Sequence, residues 1–247
     1  MSAKVVFFGS IPAARECLEI LLASGTELVG VCSVKLEGWR NEQTVWEFCE
    51  ERKLPLIDHH DIPALNPDFG LSVRYHRLLK AETLSAFSHG VVNVHGGLLP
   101  EYRGSYCNIH AILNGDSEFG VTLHYIDQGV DTGDVVARIT TSVENTDTGM
   151  DLYLKGERLC VEVVRQQLPK LLSGTADRTP QDVLIAQGAQ AHEYRRSDIN
   201  PLRQLSIDDI ETESGMRVIR AFDSPHHEPA YVMWLGRKVY LRTNWGS

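Results

Sequence analysis

Asn93, His95 and Asp131 are the residues of this chain whose types and spacing offer chemistry. An imidazole with a proton affinity near neutrality can take or give a proton, a carboxylate can raise that affinity and fix the ring, and an amide can donate to a developing oxyanion. Together they suit acyl transfer. On spacing alone a plainer reading stays open. A histidine after a buried strand is more often a hydrogen-bonded structural residue, and an aspartate in a glycine loop is more often a turn former.

The elements that must position these residues can be read from the pattern around them. Val91, Val92 and Val94 form an apolar run in which alternation places Asn93 and His95 on one side, and Gly96, Gly97 and Pro100 end it. Polar groups two apart at the end of an apolar strand, followed by a glycine turn, mark a site at the carboxyl edge of a parallel sheet. Asp131 lies in a loop, Asp127 to Asp134, bracketed by Gly129 and Gly133, which are expected to permit positive φ and close approach.

Upstream, Lys4 to Phe8, a helical segment from Pro12 to Leu22 and Leu28 to Val34 predict a βαβ unit with a parallel sheet. Ser10, at the helix entry, is either a plain polar loop residue or a phosphate contact. Lys35 to Asn41 reads as a polar loop, Thr44 to Arg52 as a helix, and Leu54 to Ile57 as a further strand. His59, His60 and Asp61 read as structural or solvated residues, because neighbours on an extended chain point to opposite sides. Phe69 to Val73 is another strand, with Arg74, Tyr75 and His76 at its end as candidate substrate contacts or, equally, as a surface pair and a core cap. Ser105 to Leu113 predicts a helix, and Val121 to Ile126 a half-buried strand followed by Val135 to Val143. Asp151 to Leu172 predicts the longest helix, covering one face of the sheet. The expected architecture is α/β, a Rossmann-like, mostly parallel sheet with a small C-terminal region of one helix, Asp208 to Phe222, and a hairpin turning at Gly236 and Arg237. The domain reading is 1–175 catalytic, 176–194 linker and 195–247 a C-terminal subdomain that must dock on the main domain or pair across a dimer.

Composition narrows the partners. The 247 residues carry a formal charge of −9, unfavourable for a nucleic acid or an anionic membrane surface. Residues 195–247 hold eight basic and seven acidic side chains, net +1, against 16 basic and 26 acidic before them, net −10, so neither part offers a concentrated basic surface. Five widely spaced cysteines without a CxxC pair predict free thiols rather than a disulfide framework or a zinc site. With no apolar run of membrane-spanning length and no signal-peptide pattern at the N-terminus, a cytoplasmic location is expected.

A longer signature then enters. Asn93-Val-His95, Leu98-Leu99-Pro100-x-Tyr102-Arg103-Gly104, Gly120-Val121-Thr122 and Asp127-x-Gly-x-Asp131-x-Gly-Asp134 resemble, in order and spacing, the signature of the folate-dependent formyltransferases. The layout resembles that family over roughly residues 1–175, and GVTLHYIDQGVDTGD looks most like its nucleotide-sugar branch. The resemblance implies that Asn93, His95 and Asp131 are the catalytic trio and that N10-formyltetrahydrofolate is the cosubstrate, with no metal. The folate would be held around Leu98, Leu99, Gln128, Gly129 and Val130. It implies as acceptor a nucleotide-linked, dTDP-type amino sugar. Ser10, Arg74, Tyr75, Tyr102, Arg103, Tyr106 and Asn108, at strand ends or a helix entry or in the loop and helix after Pro100, are the candidate substrate-binding residues, and the C-terminal hairpin, whose edge strand would otherwise be exposed, predicts a homodimer. The alternatives are methionyl-tRNA formylation, formyltetrahydrofolate hydrolysis and a catalytically silent nucleotide-binding protein. One departure is visible: Gly97 stands where many members have serine before Leu-Leu-Pro.

Overall fold

A computed structural model describes residues 2–36, 42–225 and 227–243. The first half alternates strands and helices: β1 (Lys4–Phe8), α1 (Pro12–Ala23), β2 (Glu27–Cys32), α2 (Val45–Arg52), α3 (Ile62–Leu65), β3 (Phe69–Val73), α4 (Ala81–Leu84) and β4 (Val91–His95). Then come β5 (Arg103–Gly104), α5 (Cys107–Asn114), β6 (Glu118–Tyr125), β7 (Val135–Ser142) and α6 (Gly149–Leu172). The remainder holds α7 (Gln181–Ala186), β8 (Glu193–Tyr194), β9 (Gln204–Leu205), α8 (Glu213–Ala221), β10 (Tyr231–Trp234) and β11 (Arg237–Tyr240).

Six strands form the main sheet in the order β2-β1-β3-β4-β6-β7, the first four parallel and β6 and β7 antiparallel. The expected mostly parallel α/β sheet is therefore present, with a small three-stranded sheet, β11-β10-β9, near the C-terminus. Alternation divides each strand between two faces. Val5, Phe7, Leu71, Val73, Val92, Val94, Val121 and Leu123 join one core with buried residues of α1 and α6. On the other face Val6, Phe8, Phe87 and Val91 form a smaller apolar cluster, and beyond it Asn93 and His95 make that face polar at the carboxyl edge. α6 begins with a full capping box between Thr148 and Asp151, which satisfies backbone N–H groups that a helix start leaves unpaired.

Several expectations need correction. Leu54 to Ile57 is no strand; one bridge joins Val31 to Leu56, because Pro55 has no N–H to extend a ladder. Thr122 and His124 lie on a strand buried on both faces rather than half-buried, since α6 packs behind Val121 and Leu123 while the 97–99 loop bonds Thr122 on the other face. His59 to Asp61 form a tight helical turn, not an extended segment. The last helix starts at Glu213, capped by the Thr212 hydroxyl, after Ser206 and Asp209 close a turn of their own. The hairpin turns at Leu235 and Gly236, with φ of 47° and 79°, the paired left-handed geometry that suits strand twist. The stretch read as linker carries α7 and β8. Residues 37–41 of the predicted Lys35–Asn41 loop lie outside the described residues. The C-terminal part docks on the main body: Ile199, Ile219, Phe222 and Ala230 share a core with Ile109, Ile112 and Leu152. Among the described residues no helix is long and apolar enough to cross a membrane.

Candidate active site

Sheet register lays a polar row across three strands. Ser72 of β3 is opposite Asn93 of β4, which is opposite His124 of β6. The Ser72 hydroxyl donates to Asn93 Oδ1 at 2.9 Å, and Asn93 Nδ2 lies 3.3 Å from His124 Nε2. His124 Nδ1 donates to the Tyr125 carbonyl at 2.8 Å, so its Nε2 is left with a lone pair for the Asn93 amide. Burial agrees with that assignment, pulling the His124 pKa down to about 4 although Asp131 works against it. The asparagine is thereby held with its oxygen toward Ser72 and its nitrogen toward His124. Its second N–H has no partner among the described residues.

His95 is the opposite case. Its Nε2 is 2.6 Å from the Tyr102 carbonyl and its Nδ1 is 3.4 Å from Asp131 Oδ2, so an acceptor faces each ring nitrogen and the doubly protonated ring is the form that fits. Burial opposes the charge, but Cys107, whose Sγ is 3.5 Å from Nε2, together with Asp131 and the Tyr102 carbonyl, outweighs it and raises the pKa to about 9. The two imidazoles stand edge to face with centroids 6.2 Å apart, and their surroundings shift their pKa values in opposite directions. Two titratable groups pushed apart by their surroundings are a recognised mark of acid–base function.

Asp131 reaches this pair from the Asp127–Asp134 loop. The positive φ belongs to Asp131 itself, at 52°, and not to Gly129 or Gly133. Gly133 is needed for close approach, since a Cβ there would collide with the Tyr125 carbonyl oxygen. Asp131 Oδ2 accepts from the Gly104 N–H at 2.9 Å, and its Oδ1 lies 3.5 Å from His124 Nε2. The structure thus brings Asn93, His95 and Asp131 together.

The expected folate segment is split in character. Leu99 is fully buried, its N–H is committed to Thr122 Oγ1 at 3.0 Å, and the Leu98 carbonyl accepts from the Tyr102 N–H. Gln128, Gly129 and Val130 are exposed on the Asp131 loop. At Gly97 a Cβ would come within 2.9 Å of Cys107 Sγ and of the Tyr102 carbonyl oxygen, so in this chain Cys107 fills the space a serine side chain would need.

The expected substrate contacts all have intramolecular roles. Ser10 Oγ accepts from the Val34 N–H at 3.2 Å, tying the ends of β1 and β2. Arg74 leaves the strand with φ 47° and stacks its guanidinium on Tyr153, 4.5 Å from the ring centroid. Tyr75 meets His59 Nε2 at 3.2 Å and packs on Phe8. Tyr102 stacks on Tyr194 and bonds Asp116 through its hydroxyl. Arg103 bonds Gln181, Tyr106 packs edge-on to His227, and Asn108 donates to the Gly149 carbonyl at 2.8 Å. Sequence reading passed over Ser72, His124, Cys107 and Gln181. Ser72 and His124 did leave a trace, as polar residues inside otherwise apolar strands. A groove of about 640 Å³ between α1 and α6, lined by residues such as Glu16, Arg158 and Glu162, contains none of the site residues.

Comparison with known proteins follows the same lines. A family model described as "Formyl transferase" matches residues 49–168. A methionyl-tRNA formyltransferase from Latilactobacillus sakei subsp. sakei is 30% identical over 218 residues, covering 81% of this chain and 69% of the relative. This chain spans 62% of two further relatives of that name. Among solved structures, an N-formyltransferase from Helicobacter canadensis, in complex with folinic acid and dTDP-3-aminofucose, aligns with a TM-score of 0.81 at 22% identity over 97% of this chain and 86% of that one. A 4-N formyltransferase from Francisella tularensis aligns with a TM-score of 0.80 at 18% identity over 98% and 97%.

Proposed function

The chain belongs to the formyl transferase family, and on that premise we propose that it transfers the formyl group of N10-formyltetrahydrofolate to the amino group of a nucleotide-linked amino-dideoxy sugar, with dTDP as the nucleotide. The observation that carries the chemistry is His95, with an acceptor at each ring nitrogen, beside an oriented Asn93 amide and the Asp131 carboxylate. A neutral amine attacks the formyl carbon and an oxyanion forms. The free Asn93 N–H and the His95 Nδ1–H donate to it, acting as a preorganised oxyanion site. Nδ1 serves in this role because its 3.4 Å contact to Asp131 is loose, whereas Nε2 is committed to the Tyr102 carbonyl at 2.6 Å. Collapse breaks the bond from the formyl carbon to folate N10. The proton lost by the attacking nitrogen passes through Asp131, His95 or water to that leaving nitrogen. Gln128, Gly129 and Val130, exposed beside Asp131, offer their backbone to the folate, with half-buried Leu98 beside it and the buried Leu99 holding the loop in place.

Two observations support the sugar as acceptor. The fold follows that of the Helicobacter protein, which holds a dTDP-sugar and a folate, over 97% of this chain. The charge of −9, with no basic half, is ill suited to a polyanion. Methionyl-tRNA is the second reading, favoured by the 30% identical relative. We further propose a homodimer, formed where the exposed edge strand β11 and its neighbours Trp234 and Leu235 face outward. The test is a mass-spectrometric screen of nucleotide-linked amino sugars with N10-formyltetrahydrofolate, beside methionyl-tRNA at equal enzyme. A formyl addition to a sugar is expected. Rapid formylation of methionyl-tRNA, with no sugar product, overturns the assignment.

A further inference from the structure

Gln181 lies outside every motif of the sequence, at the start of α7, yet it is 3% exposed and its amide is fully used. Nε2 donates to the carbonyls of Asp131 and Gly133, at 2.8 Å each. Oε1 accepts from Arg103 Nε and Nη2 at 3.0 and 2.7 Å. One uncharged side chain therefore joins the loop bearing Asp131 to the loop bearing Tyr102, Arg103 and Gly104. Its neighbours run along the same loop: Thr179 and Val135 exchange N–H···O bonds of 2.8 Å, and Arg178 Nε meets Asp134 Oδ2 at 2.6 Å.

We propose that Gln181 is a positioning residue for the His95–Asp131 pair, setting the separation at which the carboxylate faces the imidazole. The argument is one of chemical type. Only a side chain that donates at one end and accepts at the other satisfies two carbonyls and a guanidinium together. Glutamate would keep Arg103 but set a carboxylate against the carbonyls of Asp131 and Gly133, and methionine would satisfy neither side. Asp131 has a left-handed backbone, φ 52°, a conformation that a non-glycine residue keeps only when its surroundings hold it. Releasing its carbonyl frees the carboxylate to swing from His95. Releasing Arg103 loosens the loop whose Tyr102 carbonyl and Gly104 N–H meet His95 and Asp131. The groups that face His95 are Asp131 from its loop, His124 from β6, and Cys107 and the Tyr102 carbonyl from the α5 side; of these, Gln181 acts on Asp131 and Tyr102.

This inference rests on the reading that His95 and Asp131 handle the proton, but its test needs no acceptor substrate. In protein labelled with ¹³C at histidine Cε1, the His95 signal, assigned by its loss in His95→Asn, is titrated by NMR. In Gln181→Met its midpoint is expected to fall by about 0.5 unit or more, because a looser carboxylate favours the cation less. A role confined to folding would lower Tm and leave that midpoint in place, and a midpoint coinciding with wild type overturns the proposal. Should Gln181→Met not fold, Arg103→Ala, which cuts the other end of the clamp at a half-buried position, is read the same way. A shifted titration without sugar formylation would keep Gln181 as a positioning residue and defeat only the substrate reading. An unshifted one with normal formylation would do the reverse.

Discussion

The floor and the roof of the site are built by different means. The floor is the row Ser72, Asn93, His124 with His95 beside it, placed by the register of three adjacent strands. The roof is made of the 97–106 and 127–134 loops, held by side chains and short strands from residues 178–194. Sheet hydrogen bonds, in a register held by the buried faces of β3, β4 and β6, set the backbone positions of the floor. The roof depends on a few side-chain bonds, Gln181 first among them. Their tasks differ accordingly: the floor presents an amide and an imidazole, while Asp131 and the Tyr102 carbonyl of the roof, with Cys107 at the start of α5, decide the charge on that imidazole.

The largest effect should come from deleting the group on which floor and roof converge. His95→Asn is expected to lower kcat by about a hundredfold or more with little change in substrate affinity, as for loss of one oxyanion-stabilising or proton-handling group. Asn93→Ala should behave alike. Asp131→Ala should slow turnover and, unlike Asn93→Ala, shift the pH profile, because it removes a carboxylate that holds the His95 pKa up. Profiles of both variants that overlay the wild type would erase the division of labour between floor and roof.

The same division predicts a pH dependence of stability with two limbs. His95 has a folded pKa raised to about 9, above the unfolded value of 6.5, so its contribution is complete below pH 6.5 and is lost as pH rises toward 9. His124 is lowered to about 4, so its contribution is complete above 6.5 and is lost as pH falls toward 4. Each limb should have a slope of about 1.4 kcal/mol per pH unit at most. Urea midpoints across the range check this: His95→Asn should flatten the alkaline limb and also soften the acid one, because the His95 charge helps hold His124 down, and His124→Phe should flatten the acid limb.

How much of this was legible in the sequence follows the same boundary. Alternation along Val91 to His95 put Asn93 and His95 on one face, a matter of local periodicity; the glycine-rich Asp127–Asp134 segment marked the loop that carries Asp131, although the positive φ there belongs to Asp131 and not to Gly129 or Gly133. Ser72 and His124 were visible as polar residues in apolar strands, but only cross-strand register makes them neighbours of Asn93, and register is not written within one strand. Gln181 was hidden in a stretch with the composition of a linker. Its partners Asp131 and Arg103 are 50 and 78 residues away, and no local pattern records a contact of that kind. The candidate substrate residues were chosen for chemistry at strand ends, yet Arg74, Tyr75 and Arg103 are engaged by Tyr153, His59 and Gln181, partners that only the packing of α6, the 59–61 turn and α7 supplies.

The smallest effect tests how the floor itself is held. Asn93 has two restraints: the Ser72 hydroxyl on its oxygen at 2.9 Å and the His124 lone pair on its nitrogen at 3.3 Å. Removing the hydroxyl in Ser72→Ala costs one hydrogen bond, about 1 kcal/mol, or roughly fivefold in kcat if all of it bears on the oriented amide. The amide should still not turn over, because a flipped Asn93 would set its oxygen against the lone pair of a neutral His124. His124→Phe removes that repulsion and leaves the hydroxyl, which can accept from the flipped amide as readily as it donates to the native one. The His124 change should therefore cost more than the Ser72 change, about tenfold, and the double variant should fall further than the two separate losses combined, since only then is nothing left to orient the amide. Equal single effects that simply combine in the double variant would mean that Asn93 is oriented by something other than this row.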